Sequence, residues 1–157
     1  MFWNARERTE IVRMARLEFE GIDELCAAFG RIEDIPDEVT EEALTAMGNV
    51  AFSEIKRTGE SMGVRDQESD VHILDKMKLT KPTITKKGGY ADVTFSGSRT
   101  RGKKKTRNAE IAFVNEYGKR GQEARPFIGT AMSKKEKAIV DAGAEVLGDW
   151  MEKEFSR

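Results

Sequence analysis

The chain has 157 residues, of which 35% are charged and 38% hydrophobic, and its formal net charge is −1. This composition is typical of one domain with a modest core, and the single cysteine, Cys26, excludes an intramolecular disulfide. Because the sequence contains neither an apolar run of about 18 residues nor the apolar core of a signal peptide, we expect no membrane span and a protein that works in a cytosol or in a particle assembled there.

The charge is distributed unevenly along the chain. From Glu20 to Asp70 there are 14 acidic and 4 basic residues, whereas from Lys76 to Arg107 there are 11 basic residues and 1 acidic residue. The sequence is therefore a charge dipole, which the overall isoelectric point near 6.0 conceals.

The N-terminal residues 1–10 follow no regular period, and we interpret them as a flexible arm that precedes a single α+β domain over residues 11–157. Phe2 and Trp3 either fold back onto this domain or insert into a neighbouring subunit as an interface. Apolar and charged residues alternate over Arg13–Glu20, which predicts a strand, and five apolar residues from Ile22 to Ile32 have helical spacing.

A long helix is predicted to start at Pro36, because proline and the acidic residues that follow it suit a helix N-terminus. Its apolar stripe consists of Val39, Ala43, Met47, Val50, Ala51 and Ile55. We expect it to end near Thr58-Gly59, so that its length of about 33 Å crosses the whole face of a small sheet. Residues 60–70 are predicted to form a polar loop.

A hairpin is predicted next, with strands within Val71–Thr85 and Tyr90–Ser96 and turn chemistry at residues 86–89. After Pro126, apolar residues keep a helical period to the end of the chain. These are Ile128, Met132, Ile139, Val140, Val146, Leu147, Trp150, Met151 and Phe155. Small residues between 131 and 144 keep this helix slim, which predicts close packing against another helix in the same subunit or a neighbour.

The segment 97–108 is predicted to be a mobile basic loop, because like charges cannot be buried cheaply. Its six charges within nine residues are Arg99, Arg101, Lys103, Lys104, Lys105 and Arg107. These side chains either remain solvated or contact another subunit, or they contact nucleic acid through phosphates.

A helix, a corner and a second helix are predicted between residues 109 and 132. Gly118 ends the first helix and Pro126 opens the second, whereas Arg125 is held extended because it precedes proline. We expect Phe127 to anchor the corner in the core. Glu116 is predicted to pair with Arg125 and hold the loop shut.

The residues of this corner resemble a known signature. Glu116-Tyr117-Gly118, then residues 124–128 (Ala-Arg-Pro-Phe-Ile) and Ala131, are similar to the motif of the putative tail-component family of siphophages, and the order of elements agrees over roughly residues 14–155. One departure is that residues 70–77 replace the Thr-Gly-x-Leu turn of that family.

The resemblance implies a virion protein of the neck and tail-completion region, assembled in the host cytoplasm. Its expected partners are copies of itself in a ring, a hexamer or a dodecamer, together with the head-closure protein and the tail-tube or terminator protein. DNA would pass through the channel without sequence-specific contacts.

No motif for catalysis is found. His72 is the only histidine and has no second ligand at zinc spacing, and neither a Gly-x-Ser-x-Gly elbow nor a phosphate-binding loop occurs. We therefore expect no catalytic residues, no metal and no cofactor.

The predicted fold class is α+β, with a small antiparallel sheet covered on one face by a long helix and a C-terminal helix. Two functions remain in competition. One is a structural virion protein that forms a ring, and the other is a non-specific nucleic-acid-binding module that uses residues 99–107.

Overall fold

A computed structural model describes residues 35–64, 72–85 and 88–156 of the chain. The chain divides into two units, Met1–Ile35 and Pro36–Arg157, and the second is described below. The predictions for the arm with Phe2 and Trp3, the first strand, the first helix and Cys26 lie outside the described residues. They stay predictions, as does the single domain over 11–157.

The first described helix, α1, spans Asp37–Ser61 and begins directly after Pro36. Its first turn carries Asp37 and Glu38, whose charges are favourable beside the free amides of a helix N-terminus. Ala43, Ala51 and Ile55 of the predicted stripe are buried. The prediction of this helix is confirmed, although the helix continues two residues beyond Gly59.

The predicted hairpin is confirmed and contains four short strands, namely β1 (Met77–Leu79), β2 (Thr83–Thr85), β3 (Gly88–Tyr90) and β4 (Val93–Phe95). β1 pairs with β4, and β2 pairs with β3, both antiparallel. Residues 80–82 oppose only residues 91–92, so the first arm contains one extra residue, a bulge. Pro82 lies in this bulge, where its missing amide proton costs no ladder bond. A 3-10 turn, Ile73–Lys76, leads into β1.

The basic segment folds into a second hairpin, and the prediction of a loop over residues 97–108 was wrong. β5 (Ser98–Arg101) pairs antiparallel with β6 (Lys104–Arg107) across the two residues Gly102 and Lys103. Gly102 has φ 57°, which suits the first position of a tight hairpin turn. The loop was inferred because these charges cannot be buried. A two-stranded ribbon does not require burial, since its faces can remain in solvent, and Lys103, Lys104, Lys105 and Arg107 are exposed.

Asn108, which is only 1% exposed, fixes the base of this ribbon. Its side-chain amide donates to the carbonyl of Ser96 at 2.6 Å, and its Oδ1 accepts from Arg99 Nε at 3.0 Å. The backbone amide of Asn108 donates to the carbonyl of Gly97 at 3.0 Å. A lone hairpin is marginally stable in water, so these contacts with the body of the unit hold the ribbon in place.

Helix α2 spans Asn108–Tyr117, and helix α3 spans Phe127–Phe155. α3 runs antiparallel to α1, because Lys134 Nζ lies 3.8 Å from Glu54 Oε1 whereas Gly143, further along α3, faces Met47. A Cβ at Gly143 would lie 2.6 Å from Met47 Sδ. The predicted close helix packing is therefore confirmed within the subunit. Met132, Val140 and Phe155, predicted as part of the apolar period, are instead exposed.

The hydrophobic core lies where the end of α1, the base of the first hairpin, α2 and the start of α3 meet. Its buried members are Ile55, Val64, Ile73, Leu74, Met77, Ala112, Phe127 and Ala131. The ring of Phe127 is fully buried and packs edge-on against Phe95, with centroids 6.0 Å apart. Val64 is also fully buried, which the prediction of a polar loop over residues 60–70 missed.

One buried carboxylate links the two long helices. Glu54 is 5% exposed and accepts hydrogen bonds from Arg57 Nη2 at 2.5 Å and Arg57 Nε at 3.0 Å. Arg57 lowers the pKa of Glu54, chiefly through this hydrogen bonding, against the opposing effect of burial. With Lys134 of α3 nearby, the carboxylate stays charged and paired between the helices.

The observed architecture confirms the α+β prediction: small antiparallel sheets with a long C-terminal helix packed on the rest. α1 lies between the first hairpin and α3, and α3 reaches the hairpin through Phe127 at its start.

We expect Phe127→Ala to lower the free energy of unfolding by about 3–5 kcal/mol, because it leaves a cavity among buried neighbours. Urea denaturation followed by circular dichroism measures this loss. Val140→Ala, at a position 55% exposed on the same helix, is the control and should change stability by less than about 0.5 kcal/mol. Equal effects of the two substitutions would contradict the role of Phe127 as the core anchor.

Candidate functional site

The predicted corner depends on Gly118, which ends α2 with φ 76°. Glycine is required there for its conformation and for space, since a Cβ would lie 2.9 Å from Ala124 N and 3.0 Å from Gln122 O. Beyond it, Lys119 and Gln122 exchange backbone hydrogen bonds of 3.0 and 2.9 Å, and the chain turns back on itself.

Pro126 directs the chain into α3. Its φ of −74° and ψ of 66°, with the amide of Phe127 donating to the carbonyl of Arg125 at 2.7 Å, define an inverse γ-turn. The amide of Arg125 donates to Asn115 O at 2.6 Å, and its guanidinium donates to the carbonyl of Gly63 at 2.6 Å. Arg125 therefore ties the corner to the segment that follows α1.

Glu116 does not pair with Arg125, and that prediction was wrong. Its buried carboxylate accepts hydrogen bonds from the amides of Ile128 and Gly129, both at 2.8 Å. These two amides belong to the first turn of α3 and have no acceptor within the helix. Pro126, the N-cap residue, makes no side-chain hydrogen bond to them. A helix N-terminus offers a carboxylate two oriented amides and a favourable dipole. These interactions stabilise the carboxylate more than an ion pair with one exposed guanidinium would. Gly129 leaves room for this contact, because a Cβ there would lie 3.1 Å from Glu116 Oε1.

Tyr117 was predicted to belong to the structural corner, but its side chain is 68% exposed. It contacts Phe113, itself 62% exposed, with ring centroids 4.7 Å apart and planes inclined by 45°. Sequence reasoning missed Phe113 altogether. The signal available was the spacing of four residues, which places two aromatics on one helical face.

The six basic residues of the second hairpin have different environments. Register places Lys105 and Arg107 on one face, opposite Thr100 and Ser98, while Lys104 belongs to the other face and Lys103 lies at the turn. All four of these cations are exposed. Arg99 is half-buried and bonds to Asn108, so its role includes holding the ribbon. The backbone of Arg101 pairs with Lys104, and its side chain lies outside the described residues.

A shallow groove connects this ribbon to α2. Its lining residues are Gly97, Ser98, Lys105, Arg107 and Glu110. Arg107 also immediately precedes the first residue of α2. The basic face and the exposed side of α2 are thus parts of one continuous surface.

The charge dipole of the sequence has a counterpart within the second unit. The first turns of α1 carry Asp37, Glu38, Glu41 and Glu42, and the first basic residue within α1 is Lys56. Ser96, which precedes the ribbon, donates its amide to the carbonyl of Lys76 at 2.9 Å. Leu74, two residues before Lys76, packs against Gly59 near the end of α1. The base of the ribbon therefore lies at the C-terminal end of α1. The 25 residues of α1 separate these two ends by about 37 Å. Lys76, Lys78 and Lys81 are spread along the first hairpin between them.

Within residues 35–64, 72–85 and 88–156, no group of three His, Cys, Asp or Glu side chains is placed to hold a metal ion. In the part of the chain that the structure describes, no helix has the length and apolar character needed to cross a membrane. His72 is half-buried and immediately precedes the 3-10 turn.

Comparison with known proteins gave no match, whether to a protein-family model, to a curated protein or to a solved structure. The similarity of the corner motif to the siphophage tail-component family therefore stays a prediction from the sequence.

We expect Glu116→Ala to destabilise the protein by about 2–3 kcal/mol, because it leaves two amides of α3 without an acceptor. Glu116→Gln keeps one of the two acceptor oxygens and places its NH2 group opposite the other amide, so a loss of about 1–2 kcal/mol, smaller than for alanine, is expected. Thermal and urea unfolding measure both. Glu110→Ala, at an exposed position of the same helix, is the control. A loss for Glu116→Ala no larger than that for Glu110→Ala would show that hydrogen bonding at this site is unimportant.

Proposed function

We propose that this chain is a structural virion protein of a tailed bacteriophage. It forms a ring at the neck, at the head–tail interface, in a tail-completion or tail-terminator role, and DNA passes through the ring. The corner motif suggests the family, and the separation of charge between the acidic start of α1 and the basic ribbon is the observation that supports assembly.

A cyclic ring is built from heterologous contacts, in which one surface of a subunit meets a different surface of the next. The acidic first turns of α1 and the exposed turn of the ribbon, with Lys103 and Lys104, are such a complementary pair of surfaces. Their attraction steers subunits together and sets their register more than it strengthens the assembly. Packing of apolar surface supplies the remaining affinity, and Val140 and Phe155 of α3 are exposed for it.

The ring is a hexamer or a dodecamer, and its neighbours in the virion are the head-closure protein and the tail-tube or terminator protein. DNA contacts in the channel go to phosphates and carry no sequence information. The protein works through its shape and charge, and we assign no catalytic residue to it.

We expect charge reversal at either surface to abolish ring assembly and reversal at both to restore it. Glu38→Lys with Glu42→Lys places positive charges opposite the positive ribbon. Lys103→Glu with Lys104→Glu places negative charges opposite the acidic start of α1. A chain carrying all four substitutions should assemble. An equimolar mixture of the two double variants should also assemble, because alternating subunits close a ring of even number. Sedimentation velocity at low salt measures the assembly.

Lys119→Glu with Arg120→Glu is the matched control for the ribbon variant, since it lowers the net charge by the same amount at exposed positions of the corner. Circular dichroism establishes that each variant is folded. If both double variants assemble like the parent, or if the mixture stays monomeric, the proposed subunit contact is wrong.

A second candidate function is a non-specific nucleic-acid-binding module that uses residues 99–107. The observation in its favour is that these residues form a folded ribbon, so their charges are presented together and lose less entropy on binding. In this function, ring assembly is not required.

Replacing the ribbon cations by serine separates the two functions. The variant carries serine at 101, 103, 104, 105 and 107 and retains Arg99, which holds the ribbon through Asn108. The structural role predicts lost ring assembly and phage particles with full heads separate from tails. Intact rings that no longer retain duplex DNA on a filter would instead support the binding module.

A further inference from the structure

Two large aromatic side chains are exposed on α2 without being covered by the rest of the second unit. Phe113 is 62% exposed and Tyr117 is 68% exposed, and the two rings contact each other at a centroid distance of 4.7 Å. Ring faces that remain in water are typical of surfaces that bind another molecule. The rest of the exposed side of α2 is polar or small, with Ala109 and Glu110 at its start.

These aromatics continue the basic face of the ribbon. Arg107 and Glu110 line the same groove, and Glu110, Phe113 and Tyr117 follow at intervals of three and four residues along one side of α2. Phe113 lies about 9 Å and Tyr117 about 15 Å along the helix axis from Arg107. On the ribbon, Lys105 and Arg107 face the hydroxyl-bearing Thr100 and Ser98, so cations and hydrogen-bond donors lie beside one another.

The two halves of this surface suit two parts of a nucleotide. Lysine, arginine and hydroxyl groups bind phosphates, and exposed aromatic rings stack on bases. In a duplex the base faces are stacked inside the helix, so rings on a protein surface reach them only in unpaired strands. The combination therefore favours a single-stranded ligand over a duplex.

We propose that the Lys105–Arg107 face of the ribbon and the Phe113–Tyr117 pair form one binding surface for single-stranded nucleic acid. Phosphates contact the cations while one or two bases stack on the aromatic pair, without reading the sequence. Glu110 lies between the two halves, and its charge opposes the approach of phosphate. The inference rests on the ribbon as a phosphate contact and is independent of ring assembly, which was assigned to Lys103 and Lys104.

The test compares two labelled ligands of equal length by fluorescence anisotropy, an oligothymidine and an abasic oligonucleotide that has the same phosphates without bases. We expect the parent protein to bind oligothymidine about 10-fold more tightly than the abasic strand, as stacking of about one base requires. Phe113→Ala with Tyr117→Ala should reduce binding of oligothymidine to the abasic level and leave abasic binding and its salt dependence unchanged.

Lys105→Ser with Arg107→Ser should weaken binding of both ligands and reduce the slope of log affinity against log salt by about 1.4, or about 0.7 for each phosphate contact of a single strand. The control for the aromatic variant is Tyr90→Ala with Met132→Ala. This pair removes two large hydrophobic side chains that are 53% and 42% exposed elsewhere on the unit, and it should change neither affinity.

Equal binding of oligothymidine and the abasic strand by the parent protein would overturn the inference, and this comparison needs no variant to fold. Equal affinity for a duplex of the same length would also overturn it. If the aromatic variant loses ring assembly while its oligothymidine affinity is unchanged, the aromatics belong to an interface with a second copy of the chain. Failure of the charge-reversal experiment leaves the preference for oligothymidine untouched, so the two proposals can fail separately.

Discussion

The buried carboxylate of Glu116 at the N-terminus of α3 is the contact on which the arrangement of the helices depends. Two amide hydrogen bonds of 2.8 Å hold the first turn of a 29-residue helix against α2. Because a helix is rigid, fixing its first turn also fixes where its other end lies. Phe127 is thereby placed in the core, and Ala131 and Gly143 come to face α1 and the core instead of solvent.

Glycines at helix contacts let the three layers approach closely. On α1, Gly48 faces Leu79 of the first hairpin, and Gly59 faces Leu74 of the 3-10 turn that precedes it. A Cβ at these glycines would lie 2.6 Å from Leu79 Cδ1 and 2.8 Å from Leu74 Cδ2. On α3, Gly143 receives Met47 in the same way. Glycine inside a helix costs about 1 kcal/mol relative to alanine, and burial of the facing leucine or methionine offsets this. The stability of α1 therefore depends on what packs against it more than on its own sequence preferences.

Elements with a strong local signal could be predicted from the sequence. The period of apolar residues gave α1 and α3, and the stereochemistry of Gly118 and Pro126 gave the corner between α2 and α3. The basic ribbon was missed because its pairing has no hydrophobic alternation, although Gly102 was a turn signal. The partner of Glu116 was not predicted, because the sequence pattern was read for side-chain partners and the actual donors are backbone amides at the start of α3. At the candidate site, the cations were predicted. The exposure of Phe113 and Tyr117 was not, because a spacing of four residues on a helix is equally typical of a buried face.

The register of the ribbon places its cations on two different faces. Neighbouring residues of a strand point to opposite faces, so Lys104 and Lys105 lie on opposite sides of the ribbon. Lys103 lies at the turn, while Lys105 and Arg107 line the groove that also contains Glu110 of α2. In a mobile loop, the cations would not be held on separate faces. The contacts of Asn108 at the base of the ribbon therefore do more than stabilise the hairpin, since they also determine on which side of the ribbon each charge lies relative to α2.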